Sequence, residues 1–125
     1  MKKVNLLTMF LCCIILSGCS QNETILSREG VLQVNVRKHV KEADSCSFYK
    51  EITDKQWIDE FILRVYKGKH DPFRHYSGTY NINVIYPDTT VYLVIQENYI
   101  KTNHKAGAFK SEYELSDFLK NSLCD

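Results

Sequence analysis

The chain has 125 residues, of which 44% are hydrophobic and 25% charged, with five glycines, two prolines and a formal charge of +1. This is the composition of one globular domain plus a short extra segment, not of a low-complexity chain. Its near-neutral balance excludes a global attraction to nucleic acid, and no run of basic residues is long enough to draw it to an anionic membrane surface.

Met1-Lys2-Lys3 is a short positive start, and residues 4–16 form an apolar run softened by Asn5 and Thr8. A membrane-spanning helix needs about 20 apolar residues, so this run has the length of a secretory signal. Leu16-Ser17-Gly18-Cys19 follows. This tetrapeptide resembles the lipobox of bacterial lipoproteins. The resemblance implies a diacylglyceryl group on the Cys19 thiol, cleavage after Gly18 and acylation of the new amine, so that two or three chains hold the protein in a bilayer. Ser20 at the next position goes with export to the outer membrane in enteric bacteria. The expected location is therefore the cell envelope: the outer membrane of a Gram-negative host, or the outer face of a Gram-positive plasma membrane. An ordinary secretory signal with an incidental cysteine, or an uncleaved buried helix, are the competing readings. Loss of residues 1–18 leaves 107 residues and moves the formal charge from +1 to −1, because Lys2 and Lys3 leave with them. Cys12 and Cys13 belong to the apolar run and act there as small hydrophobes.

Residues 20–30 are polar and without period, and read with Cys19 as a flexible tether (residues 19–30) ahead of a small domain (31–125). Asn22-Glu23-Thr24 fits a glycosylation sequon, which in a bacterial lipoprotein is coincidence. Residues 31–36 alternate and are β-branched, predicting a strand; residues 37–47 read as a loop. Thr53-Asp54-Lys55-Gln56 has the form of a capping box, and Trp57, Ile58, Phe61, Ile62 and Val65 follow at helical spacing. Gly68 fits the position just past the helix end, and Pro72 prevents continuation. Residues 79–86 place Tyr80, Ile82, Val84 and Tyr86 on one face and Asn81 and Asn83 on the other. Pro87-Asp88 is a turn, and residues 90–96 form a strand that is apolar on both faces, hence central. Glu97-Asn98 and Asn103-His104-Lys105 are turns around strands 99–102 and 106–110. Ser111-Glu112-Tyr113-Glu114 opens a terminal helix with Leu115, Phe118, Leu119 and Leu123 as its stripe.

The expected order is β-α-β-β-β-β-α. The expected class is α+β: an antiparallel sheet of about four to five strands with two helices packed on one face. The stretch from residue 53 to 123 resembles small bacterial lipoproteins without an assigned function, which pair a capped helix with a Tyr-rich meander and a short final helix. That resemblance brings no catalytic residues.

Cys46 and Cys124 are the only cysteines besides Cys19 after residue 18. In an exported chain they can form a disulfide; free thiols, or a nucleophile at Cys46 with His39 nearby, are the alternatives. His70, Asp71, His75 and His104 are too scattered, and too close to Lys69 and Arg74, to predict a metal site. Lys67, Lys69, His70, Arg74 and His75 form a local basic cluster interleaved with Phe73 and Tyr76. It can contact an anionic protein, glycan or lipid phosphate, or simply complement a helix dipole and stay solvated. Asp59-Glu60 and Glu112/Glu114 fall on predicted helix surfaces. No phosphate loop, Gly-x-Ser-x-Gly or His-Glu-x-x-His motif occurs. The expectation is a non-enzymatic envelope binding module without cofactor or metal. Its partners would be the bilayer through Cys19 and an envelope protein or glycan, not nucleic acid. An inhibitor or immunity-type protein against a secreted enzyme or toxin, and a small hydrolase or thiol enzyme, are the alternatives.

Overall fold

The computed structural model describes residues 22–38, 48–72 and 78–124. It is an α+β fold with two helices and one antiparallel sheet. The elements run β1 (Glu23–Thr24), β2 (Gln33–Lys38), β3 (Phe48–Ile52), α1 (Lys55–Val65), β4 (Lys67–Asp71), β5 (Tyr80–Ile85), β6 (Thr90–Gln96), β7 (Tyr99–Thr102), β8 (Lys105–Lys110) and α2 (Leu115–Leu123). The sheet has eight strands in the order β1-β4-β8-β7-β6-β5-β2-β3, not the four to five expected.

The meander follows directly from its alternation. Tyr80, Ile82 and Val84 of β5 and Val91, Leu93 and Ile95 of β6 are all buried, and β6 lies between β5 and β7 as its apolar composition implied. Val34 and Val36 of β2, Ile100 of β7 and Phe109 of β8 extend the same buried face. Ile58, Phe61, Ile62 and Val65 of α1 and Leu115, Leu119 and Leu123 of α2 belong to this single core. The two helices meet through Trp57, whose ring stacks on Phe61 and Phe118 at centroid distances of 5.2 and 5.6 Å. The Trp57 Nε1–H donates to Ser122 Oγ at 3.1 Å.

The helix ends differ from the expected ones. Asp54, not Thr53, is the N-cap of α1, and its carboxylate accepts from the Gln56 amide at 3.0 Å. At α2 the N-cap is Glu114, which makes no side-chain cap bond. The Glu97 carbonyl accepts the Ser116 amide instead, at 2.9 Å. A neighbouring turn thus satisfies a helix-end N–H that the capping box would otherwise serve. Ser111 is buried and holds the two layers together: its Oγ donates to the Arg64 carbonyl at 2.7 Å and accepts from the Tyr113 amide at 3.1 Å. At the other end of α2, Lys50 Nζ of β3 donates to the Leu123 carbonyl at 2.8 Å, a cation placed where the helix dipole is negative.

Three strands, β1, β3 and β4, escape the hydrophobic pattern. Gly68 does not end a helix; it lies inside β4, directly opposite Glu23 of β1. A methyl group there would stand 2.9 Å from Phe109 Cβ and 3.1 Å from the Lys110 carbonyl oxygen, so only glycine lets β4 approach β8 this closely.

The tether boundary at residue 30 is also corrected. Glu23 and Thr24 pair with Gly68 and Lys67, and Ile25 and Leu26 are buried in the core. Both of their amides donate to the Tyr66 carbonyl, at 2.6 and 3.1 Å. Farther on, the Tyr86 hydroxyl donates to the Ser27 carbonyl at 2.7 Å. From residue 22 onward the segment is therefore part of the fold.

Two outcomes follow. A chain beginning at Val31 loses the burial of Ile25 and Leu26, at roughly 1.5–3 kcal/mol per side chain. Urea unfolding followed by the fluorescence of Trp57 should show it about 3–6 kcal/mol less stable than a chain beginning at residue 22. Burial also raises the pKa of Tyr86 above its ordinary value. The folded state then holds that proton more tightly than the unfolded one. The associated stability is complete below pH ~10 and falls as pH rises beyond it. Tyr86→Phe should cost about 1 kcal/mol at neutral pH and flatten the alkaline limb of a stability–pH curve.

Candidate functional site

The basic cluster read from the sequence is divided by the strand it lies on. Lys67 and Lys69 alternate on one face of β4, while Gly68 and His70 take the other, since side chains on a strand point to opposite sides in turn. The His70 ring lies 5.0 Å from that of Phe109, and its Nε2 is 3.0 Å from the Ala106 carbonyl oxygen. His70 thus packs along β8 rather than joining the lysines. Lys67 Nζ is 4.0 Å from Glu112 Oε1. Arg74 and His75 lie outside the described residues, as do Cys19, Cys46 and His39.

His104 sits in the turn between β7 and β8, and His70 on β4. Among the described residues no group of three or more His, Cys, Asp or Glu side chains is placed to hold a metal ion. Cys124 is disulfide-bonded. The other four cysteines all lie outside the described residues, so its partner does too.

A cleft of about 580 Å³ opens between residues 29–32 and the start of α1, lined by Glu29, Leu32, Lys55, Ile58 and Asp59 among others. Leu32 on its rim is 56% exposed. Both signs of charge line it.

The larger feature is the face of the sheet turned away from the helices. Register aligns its side chains in two rows across four strands. One row is Val94–Asn81–Arg37–Tyr49, from β6 through β5 and β2 to β3. The next is Tyr92–Asn83–Asn35–Glu51 on the same strands. Strands lie about 4.8 Å apart, so each row spans roughly 14 Å. Tyr49 and Tyr92, at diagonal corners, are 49% and 40% exposed.

The polar groups of this array are held in place. Gln33 Nε2 donates to Asn35 Oδ1 at 2.6 Å, and the Tyr49 hydroxyl donates to Glu51 Oε1 at 3.3 Å. The Arg37 guanidinium lies 5.0 Å from the Tyr49 ring centroid, within the range of a cation–π contact. The Tyr92 amide donates to the side-chain Oδ1 of Asn103 at 3.2 Å. One cation and one anion balance, and the remaining polar side chains are neutral amides and hydroxyls that both donate and accept. Such a surface can stack on flat apolar faces and exchange hydrogen bonds with hydroxyl-bearing ligands.

Two of the eight array residues, Asn81 and Asn83, are visible in the sequence opposite an apolar face. Two more, Asn35 and Arg37, alternate with Val34, Val36 and Lys38; that alternation was the available signal. No family model, curated protein or solved structure matches the chain.

Proposed function

We propose that the chain is a bacterial envelope lipoprotein, anchored by acyl chains on Cys19, whose domain is a non-enzymatic binding module. The observation that carries the binding reading is the two-row array on the outer face of the sheet. Its ligand class is an uncharged, hydroxyl-rich chain, a glycan of the envelope. The array's amides supply paired donors and acceptors, its charges cancel, and Tyr92 and Tyr49 offer flat rings at opposite corners. The anchor reading rests on the Lys2-Lys3 start, the short apolar run and Leu16-Ser17-Gly18-Cys19. No helix among the described residues is long and apolar enough to cross a membrane.

Binding of the purified chain to envelope polysaccharide and cell-wall glycan fragments, measured calorimetrically, tests the module. Tyr92→Ala should weaken retention at least tenfold, about 1.4 kcal/mol, with the fold unchanged by circular dichroism. Binding that survives both Tyr92→Ala and Asn83→Ala rules out the array. Stoichiometric binding to one secreted enzyme through the same residues would instead identify an inhibitor.

The same reading pairs Cys124 with Cys46. With Cys12 and Cys13 removed in the signal and Cys19 acylated, Cys46 is the remaining thiol. The Lys50–Leu123 bond of 2.8 Å also brings β3, whose first residue lies two beyond Cys46, to the end of α2. Peptide mapping without reductant should recover the Cys46 and Cys124 peptides linked; two alkylated thiols in the exported protein would exclude the pair.

A further inference from the structure

The β1–β4–β8 end of the sheet carries lysines in register on its outer face. Lys67 of β4 lies opposite Thr24, and Lys69 lies directly opposite Lys110 of β8. Lys69 and Lys110 are both exposed. Like charges directly opposite across a ladder repel each other, so this pair favours an external counter-charge. The carboxylates nearby are Glu112, beside Lys67, and Asp71, two residues beyond Lys69 on the same face of β4. Glu23, opposite Gly68, lies on the other face.

The chain enters the fold at this same corner. Asn22 Nδ2 donates to Glu112 Oε1 at 3.1 Å, and Glu23 and Thr24 are already paired with β4. Only three peptide steps separate Cys19 from Asn22, a reach of at most about 11 Å. That is close to the distance over which surface charge acts in physiological salt, roughly 8 Å.

We infer that the Lys67–Lys69–Lys110 face rests on the anionic headgroups of the bilayer that holds Cys19. The inference builds on the lipoprotein reading above. The short entry segment brings the lysines to the membrane, and headgroup phosphates supply a counter-charge to the facing Lys69–Lys110 pair. The domain then stands with its β1–β4 corner toward the lipid, and the Tyr92–Tyr49 array lies on the strands at the opposite end of the sheet.

The test uses the full chain, made in bacteria and purified with its lipid. Mass spectrometry first establishes whether Cys19 carries acyl chains; an unmodified N-terminus ends the lipoprotein reading and this inference with it. The acylated protein is then reconstituted in phosphatidylcholine vesicles, with or without one-third phosphatidylglycerol. Acetylation by a water-soluble reagent is followed residue by residue. Each lysine near an anionic surface gains roughly fivefold in occupancy of the bound position. Lys69 and Lys110 should therefore react about fivefold more slowly on the anionic vesicles. Lys55, at the start of α1, should react equally on both, and high salt should restore the fast rates. Equal rates for Lys69 and Lys110 on the two vesicle types, with Cys19 acylated, would overturn the docking and leave the anchor standing.

Discussion

The carbonyl of Tyr66 is the point at which three parts of the chain are joined. Tyr66 closes α1, its amide donating to the Ile62 carbonyl at 2.9 Å, and one residue later β4 begins. The same residue's carbonyl accepts two amides from the entering segment, those of Ile25 and Leu26. A carbonyl has two lone pairs, and here both serve the fold. With no loop between α1 and β4, the helix fixes where β4 starts. With Ile25 and Leu26 fixed to Tyr66, β1 has a defined register on β4. The Arg28 guanidinium, 4.8 Å from the Tyr66 ring centroid, covers the joint from outside.

The placement of β4 shows what could be read from the sequence and what could not. The meander and both helices were legible because burial on one face imposes a period on each: two for β5 and β6, 3.6 for α1 and α2. Lys67-Gly68-Lys69-His70-Asp71 has no such period. Its one core position is filled by a glycine, and the apolar bulk comes from Phe109 on the next strand. β1 has only two residues, and its anchoring side chains, Ile25 and Leu26, lie after the strand rather than within it. The caps were misplaced for a related reason. A capping box is a local signal, whereas the Ser116 amide is satisfied by Glu97 and Ser111 is used between layers. Tertiary partners took over what the sequence offered locally.

The candidate site was legible to the same degree. The lysines of β4 stand out in the sequence as charge, but strand alternation separates His70 from them, and the lysine that joins them, Lys110, comes from forty residues later. The outer-face array depends on register, because Asn35 meets Asn83 only once β2 has been placed beside β5. Sequence spacing states which residues share a face of a strand; it does not state which strand lies beside it. The two faces of the sheet consequently differ in kind. The inner one is mostly apolar, with Lys38 buried at the end of β2 and His70 beside Phe109, and the outer one carries lysines at one end and amides, rings and one charge of each sign at the other.

The way the chain enters the domain also determines how it would bear a load. Tension applied at Asn22 would meet resistances in series. The first is the two-residue ladder of Glu23 and Thr24 on β4. The Tyr66 carbonyl and the buried side chains of Ile25 and Leu26 come next, and then the Tyr86–Ser27 hydrogen bond. Only past these would force reach β2, where the Leu32 amide is bonded to Ile85 of the central sheet. The segment at residues 22–30 is thus a sacrificial coupling. Released from β4 and Tyr66, it would lengthen the connection before a pull on the N-terminus reached the meander.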